Sequence, residues 1–371
     1  MIVKNSVRLQ TFAEWDLKTE HSGETDMSFL KNGAEIIQAK IDSSSGFAVI
    51  SGDYEIEKTI NIPSDFHLVL ENCHLRMADN TFCNMFTNEN CRNTDKNDRN
   101  IIIEGRGNVL LDGGEYNGLS ERNCGRDGRP EIYVNNIILF GGVRGFKVTG
   151  LHVRNQRWWA INFVYCRDGY IANIDFCADD TYLDENGEIK HRLDFDNYEA
   201  IRIKNADGID IRRGCRDIVI ENITGFTEDD TVAVTSLPWK IESALRRPDE
   251  SDDICNIVIR NVVSSALCSN VRLLCRGGGK LYNVLVDGVF DTSKDSPHMT
   301  RGIFAVRVGD ATPYNSRGPR ADEFYNISVR NVVSRACTAV QINNPIGAYF
   351  TDNIMPFDGC GKALEIVKEE E

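Results

Sequence analysis

The chain has 371 residues, of which 41% are hydrophobic, so it can bury a sizeable core. Its formal net charge of −14 argues against nucleic acid or an anionic membrane surface as a partner. The same negative charge would repel a polyanionic polymer as substrate unless basic residues cluster locally. No apolar run approaches the ~18 residues of a membrane-spanning helix. The N-terminus MIVKNSVRLQTFAEWDLKTE lacks the apolar centre of a secretory signal, so we expect a cytoplasmic protein.

The N-terminal part of the chain predicts one helix. Residues 1–26 are polar and are expected to be weakly structured. From 27 to 43, apolar residues recur near helical spacing, and Asp26 is a candidate N-cap, although Gly33 weakens the pattern. Ahead of a long series of strands, such a helix would cover the open end of a solenoid and shield its first strand.

The stretch from 44 to 347 consists of short β-type runs separated by Gly, Asn and Asp. Seven runs resemble one another, and several share the form N-[IV]-x-[IV]-[RE]-N-V: 100–113, 145–153, 169–176, 217–223, 256–262, 283–289 and 326–332. A weak repeat with a period in the twenties is typical of a parallel β-helix. A large β-sandwich, the alternative, would show Asn-Gly or Asp-Gly hairpin turns, and these are sparse. We therefore predict a single all-β domain, a parallel β-helix over 44–347, with 348–371 as a C-terminal cap and tail.

Polar inserts break the repeat, and in a solenoid such inserts gather on the flanks, where they can wall a cleft. They lie at 84–99, 114–131, 179–198, 237–253 and 311–323.

Twelve cysteines at scattered spacings form no CxxC pair, so we expect no zinc site. Most of them are expected to be reduced and to pack as small hydrophobes inside the coil.

Two acidic clusters precede short β-type runs: Asp207 before GIDI, and Asp229 with Asp230 before TVAV. On straight strands Asp207 and Asp230 would share the inward parity of the apolar residues, which is costly for an unpaired carboxylate. Both must therefore lie at bends. Because Asp207 and Asp229 are 22 residues apart, we expect equivalent bends in neighbouring turns, with the acids stacked.

Three acids in one patch fit acid–base hydrolysis of a glycosidic bond, which needs one carboxylic acid and one carboxylate. Close carboxylates raise one another's pKa, so one can stay protonated while another is ionised. Solenoid bends are also rich in Asp for purely conformational reasons, and we assign Asp179 and Asp180 to that structural class. We likewise expect His298 to have a structural role or to lie on the surface.

Four segments resemble motifs of the polygalacturonases, glycoside hydrolase family 28: NVLLDGGEYNG; the run from IILFGG to IDF, with Trp158 or Trp159 at a motif tryptophan; NADGIDI; and EDDTVAV. The resemblance covers most of the chain and implies a right-handed parallel β-helix and an inverting hydrolase. By the resemblance, Asp229 is the general acid, and Asp207 and Asp230 hold and activate the water.

The sequence departs from that family at two motif positions, and in the family the Arg and Lys of the second motif hold a substrate carboxylate. Ser269 and Asn270 stand near the position of the family's His, and in AVRVGD Arg307 is kept while Gly309 replaces a Lys. Arg307 takes the outward parity of its strand, ~10 Å along the axis from the acid pair. The string Arg202-Ile203-Lys204 belongs to a different coil. These departures indicate retained chemistry on a different sugar or linkage, such as a short or modified oligosaccharide.

Further residues are candidates for the sugar-binding subsites. Trp239 could stack on a sugar face, and Lys240, Arg246 and Arg247 of the same insert could meet a carboxylate. A solvated loop with one packed Trp is the alternative for this insert. The predicted substrate-binding set is Asn205, Asn270, Arg307, Trp239 and Lys240.

The favoured function is an inverting hydrolase of a pectin-derived, uronate-containing or related oligosaccharide, with no metal or cofactor. A β-helix lyase or epimerase is the second possibility, since the three acids could bind Ca²⁺. A non-catalytic carbohydrate-binding solenoid is the third.

Overall fold

The protein is a right-handed parallel β-helix in which two sheets of ten strands each wind around one core. Every pairing within these two sheets is parallel, so the predicted all-β solenoid is confirmed. The computed structural model describes residues 29–79, 81–114, 135–156, 158–193, 195, 203–310, 312, 314, 316–343 and 345–367.

Sheet A contains all seven of the similar runs found in the sequence. Its strands, in spatial order, are β1 (Phe47–Ile56), β3 (Phe66–Met77), β5 (Asp98–Asp112), β7 (Val143–Arg154), β9 (Arg167–Cys177), β13 (Arg216–Thr227), β15 (Ile254–Ala266), β17 (Leu281–Asp291), β19 (Phe324–Ser334) and β21 (Tyr349–Pro356).

Sheet B is formed by the shorter strands that follow the bends. These are β2 (Ile60–Ile62), β4 (Phe86–Asn88), β6 (Ile138–Gly141), β8 (Ile161–Val164), β12 (Ile209–Arg212), β14 (Asp230–Ser236), β16 (Ser269–Cys275), β18 (Phe304–Val308), β20 (Thr338–Asn343) and β22 (Lys362–Val367). A small antiparallel hairpin, β10 (Tyr182–Leu183) and β11 (Ile189–Lys190), stands outside both sheets.

The first Asn of the repeated motif begins each turn with a left-handed backbone. Asp217, Asn256, Asn283 and Asn326 occupy this position in successive coils with φ between 54° and 58°. Each Asn amide donates to the side chain one coil back, at 2.7, 2.9 and 2.6 Å in order. Asn and Asp tolerate this conformation better than other non-Gly residues, which explains their recurrence.

The second Asn of the motif bends the same strands in the middle. Asn173, Asn222 and Asn261 have φ of 55° to 58°, and their amides form a second ladder with bonds of 3.0 and 3.1 Å. The bends give each coil a closed cross-section, and the two ladders hold neighbouring coils in register.

The core is filled by alternating residues from both sheets. Ile218, Ile220 and Ile223 of β13 point inward beside Val232 and Val234 of β14, and each is at most 1% exposed. Burying one such side chain is worth about 1.5–3 kcal/mol.

A helix closes the N-terminal end of the solenoid, as predicted, but it begins later than the sequence indicated. Helix α1 (Gly33–Asp42) follows the left-handed Asn32, and its Ala34 and Ile37 lie in the core. Gly33 fits because a Cβ there would come within 2.6 Å of the Glu55 carbonyl oxygen. The predicted N-cap, Asp26, lies outside the described residues.

The C-terminal segment, predicted as a cap and tail, forms a further coil as far as Val367. Strands β21 and β22 continue both sheets, and the Asn353 amide donates to Asn331 of the preceding coil at 2.7 Å. Leu364 and Ile366 keep the inward register of the preceding strand but are 39% and 46% exposed. Their exposure follows from their position, since no described coil lies beyond them.

The cysteines behave as small core residues. The eleven in the described part of the chain are free thiols, and seven of them are buried; Cys124 lies outside it. Among the described residues, no helix has the length and apolarity required to cross a membrane.

Candidate active site

The predicted catalytic acids lie at two bends in neighbouring coils. Asp207 precedes β12, whereas Asp229 and Asp230 stand where β13 passes into β14. The Gly208 N–H donates to the Asp230 carbonyl at 2.9 Å, and the Asp230 N–H donates to Asp207 Oδ1 at 3.3 Å. The acids are therefore stacked, as their spacing predicted.

Asp230 has two partners that stabilise its ionised form. The Ser269 hydroxyl donates to Oδ1 at 2.5 Å, and Arg272 Nε lies 3.9 Å from Oδ2. Both partners come from β16, the next coil along, where Ser269 pairs in register with Asp230.

Asp229 is held by Asn205. With the Asn205 amide nitrogen turned towards the acid, it donates to Asp229 Oδ2 at 2.7 Å and its oxygen accepts from Trp159 Nε1 at 2.9 Å. Asn205, predicted to bind substrate, thus contacts an acid directly. Of the two candidates for the motif tryptophan, Trp158 and Trp159, it is Trp159 that contacts Asn205.

Burial and mutual repulsion set the proton affinities of the cluster. Burial, with repulsion from Asp210, Asp229 and Asp230, raises the pKa of Asp207 well above its usual range. Burial and the adjacent Asp230 raise the pKa of Asp229 to about 7. Burial also raises the pKa of Asp230, but Arg272 and Ser269 oppose that shift. Asp230 is therefore the acid best placed to carry the negative charge.

A fourth acid, Asp210, was missed from the sequence. It lies fully buried on the outer face of β12, where Arg212 Nη1 is 3.2 Å from Oδ1, and Oδ2 has no hydrogen-bond partner among the described residues. Burial raises its pKa to about 8, against the effect of Arg212. The signal was present in NADGIDI, since Asp210 alternates with two inward Ile residues.

A row of side chains runs along the outer face of sheet B, three residues beyond the bends. Asp210, Ala233, Arg272 and Arg307 are in register in four successive coils. Arg307 points outward, as its parity predicted, and is partly exposed. Arg272 was missed, although its parity in SNVRLLC is also outward.

Asn270 does not line this site, which corrects its predicted role in substrate binding. Its side chain is fully buried at the corner of the coil, where the amide donates to the Ser264 carbonyl at 2.6 Å and to the Ser264 hydroxyl at 2.8 Å. In SNVR, therefore, Ser269 and Arg272 contact an acid and Asn270 does not.

The insert 237–253 brings an aromatic side chain to the site. Trp239 is half-buried and parallel to Trp159, with ring centroids 6.3 Å apart and planes at 9°. The Arg212 guanidinium lies 4.2 Å from the Trp159 centroid and 2.7 Å from Glu242 in helix α2 (Lys240–Ala244). The Lys240 side chain, a predicted substrate contact, lies outside the described part.

Arg247 anchors this insert and is not placed to meet a substrate carboxylate, which was one of the two possibilities left open for the insert. Its guanidinium is buried and donates to five backbone carbonyls of the neighbouring coils: those of Asn90, Cys91, Asn93, Lys96 and Gly141. Arg246 is exposed, 3.9 Å from Asp252.

The other singled-out polar residues are paired internally. Asp180 accepts from His298 at 3.1 Å, and Asp179 lies 3.3 Å from Lys204. Lys204 is also 3.3 Å from the buried Glu228, which accepts from the Ala206 N–H. These contacts fit the structural roles expected for Asp179, Asp180 and His298. In the described part of the chain, no group of three or more His, Cys, Asp or Glu side chains is arranged to hold a metal ion.

Solved structures with the same architecture are carbohydrate-degrading β-helices. An exopolygalacturonase from Thermotoga maritima is 15% identical over 90% of this chain and 87% of its own, with a TM-score of 0.56. An iota-carrageenase complexed to iota-carrageenan fragments is 13% identical, over 91% and 87%, with a TM-score of 0.53. Endopolygalacturonase I from Stereum purpureum, complexed with two galacturonates, is 13% identical over 92% and 97%, with a TM-score of 0.50. At these identities the likeness establishes the fold.

The family follows from the sequence itself. Residues 54–247, more than half of the chain, match the family model "Glycosyl hydrolases family 28". The chain belongs to this family and is a glycosyl hydrolase. The curated proteins contain no significant match.

Proposed function

We propose that the protein is an inverting glycoside hydrolase that cleaves a pectin-derived, uronate-containing or related oligosaccharide by acid–base catalysis at Asp207, Asp229 and Asp230. The observation that carries this proposal is the difference between two adjacent acids. The pKa of Asp229 is raised to about 7, whereas Asp230 has a hydroxyl donor and a cation that favour its charge. A protonated acid and a carboxylate side by side are what glycosidic hydrolysis requires.

In this mechanism Asp229 donates its proton to the glycosidic oxygen as the bond to the leaving sugar breaks. Asp230 takes a proton from the water that attacks the anomeric carbon from the opposite face. Asp207, which accepts from the Asp230 N–H, helps to hold that water. Asn205 keeps Asp229 in place. The sugar leaves with the proton of Asp229, and Asp230 ends protonated, so the two acids exchange states at each turnover.

Family membership supports a pectin-type polysaccharide or a fragment of one as substrate, and the galacturonates in the Stereum purpureum structure are consistent with pectin fragments. The loss of the family's His and Lys favours a short or modified oligosaccharide over a regular pectin chain. Trp239 lies parallel to Trp159, which is linked to Asp229 through Asn205, and it could provide a ring face for stacking on a sugar.

The test is a digestion panel of pectin-derived oligosaccharides with wild type and Asp229→Asn, with and without chelator. We expect wild type to release reducing ends equally well with and without chelator, and Asp229→Asn to release none. NMR of the first-formed product should show the anomeric configuration opposite to that of the substrate. Asp180→Asn, an acid paired with His298, is the control and should remain active. Ultraviolet absorbance from an unsaturated product would instead establish the lyase alternative, and retention of configuration would overturn the inverting mechanism.

A further inference from the structure

Three arginines on the outer face of sheet B lie beside the catalytic acids, and each already has a carboxylate partner. Arg212 is 3.2 Å from Asp210 and 2.7 Å from Glu242. Arg272 and Arg307 share a single carboxylate, that of Asp310. The local cluster of basic residues that a polyanionic substrate would need is therefore present, but its charge is compensated within the protein.

Asp310 is the centre of this compensation. Its side chain is 1% exposed, and Oδ1 accepts from Arg307 at 2.9 Å and from the Thr312 N–H at 2.9 Å. Oδ2 accepts from Arg272 and, at 2.8 Å, from the Tyr314 hydroxyl. With four donors aimed at it, this carboxylate stays ionised. Burial opposes its ionisation, yet the two arginines bring the pKa of Asp310 below its usual value.

The pairing changes what Arg272 and Arg307 can recognise. A buried or half-buried guanidinium binds a ligand carboxylate strongly when that carboxylate supplies its missing counter-ion. Here the counter-ion is built in, and Arg272 also lies 3.9 Å from Asp230. A second carboxylate brought to these arginines would meet the fixed negative charge of Asp310, and like charges at close range are strongly disfavoured.

We propose that the sugar unit that lies over Arg272 and Arg307 is uncharged, either a neutral sugar or a uronate whose carboxyl is esterified. Asp310 is the residue that sets this preference. The inference rests on the proposed hydrolase function and deepens it, because it assigns the charge of one unit of the substrate. Other units of the same oligosaccharide can still carry carboxylates.

The experiment uses one sugar with its charge present or removed: α-1,4-linked trigalacturonate and its methyl ester. Initial rates give the ratio of kcat/KM for the ester to that for the free acid, in wild type and in Asp310→Asn. Esterification alters every unit, so the change in this ratio between the two proteins isolates the effect of Asp310. The matched control is Glu323→Gln, since Glu323 is likewise buried and pairs with two arginines, Arg317 and Arg320.

We expect Asp310→Asn to move the ratio at least about tenfold towards the free acid, relative to wild type. Glu323→Gln should leave the ratio within about twofold of the wild-type value. Asp310→Ser is the second variant if Asp310→Asn does not fold. A ratio that the folded Asp310 variant leaves unchanged, or moves towards the ester, would overturn this inference and leave the hydrolase intact. Turnover of neither probe, nor of any member of the digestion panel, would count against the proposed function itself.

Discussion

Arg272 should control the pH range in which the enzyme works. Its Nε lies 3.9 Å from the Asp230 carboxylate, and its charge also lowers the pKa of Asp229. Arg272→Met keeps a long side chain of similar reach but removes the charge. Without it, both acids bind protons more tightly, so both limbs of the pH profile should move towards alkaline pH.

The size of this shift follows from the distance. At 3.9 Å and an effective dielectric constant of ~20, a unit charge stabilises the Asp230 carboxylate by about 4 kcal/mol. Arg272 shares its charge with Asp310, and the vacated site will relax. We therefore expect about a third to a half of that energy, which corresponds to a shift of about 1 to 1.5 pH units.

The assay is kcat/KM against pH on the best oligosaccharide of the digestion panel. The acid limb, assigned to Asp230, and the alkaline limb, assigned to Asp229 with its pKa of about 7, should both move upward. Arg317→Met is the control, because Arg317 pairs with Glu323 outside the acidic cluster. If a folded Arg272→Met gave the wild-type profile, the electrostatic assignment of Asp230 and Asp229 would be refuted.

Three further outcomes are expected. Asp229→Asn should lower kcat/KM about 10²–10⁴-fold for a substrate with a natural linkage. The loss should be much smaller for an aryl glycoside, because its leaving group needs no proton. Equal losses on both substrates would contradict the role of Asp229 as general acid. Arg247→Met should lower the free energy of unfolding, measured by urea titration, by about 3 kcal/mol or more, because buried carbonyl groups lose their hydrogen-bond donor. The control is the exposed Arg246, and Arg246→Met should change the free energy of unfolding by less than about 0.5 kcal/mol. Trp239→Ala should raise KM about tenfold with a smaller change in kcat, and an unchanged KM would exclude stacking of substrate on this ring.

The fold and the stacking of the three acids at the bends could be predicted because local rules determine them. Side-chain parity alone places Asp207 and Asp230 at bends, and the repeated Asn positions of the motif coincide with left-handed residues that recur in each coil. Such features depend on one coil and its neighbour, and the sequence period relates the two directly.

The partners of the site could not be predicted because they depend on how an insert, or the coil end beside it, packs against another coil. Asp310 contacts Arg272 across 38 residues, and Arg247 contacts Asn90 across 157. The inserts and the residues that flank them carry no period from which these contacts could be deduced. Asn270 could not be assigned correctly either, although its partner is close in sequence. Its outward parity suggested that it faces the site, but its amide is hydrogen-bonded to the Ser264 carbonyl.

The proposed catalytic acids and the residues proposed to contact the sugar lie in two separate rows along sheet B. The acids occupy the row at the bend, with Asp207, Asp230 and Ser269 stacked, whereas Asp210, Arg272 and Arg307 occupy the row three residues further along each strand. One coil rises by only ~4.8 Å, and its backbone is held by sheet bonds and Asn ladders that outward side chains do not enter. If the proposed roles hold, single substitutions in the outer row can exchange one substrate for another while the two proposed catalytic acids stay unchanged.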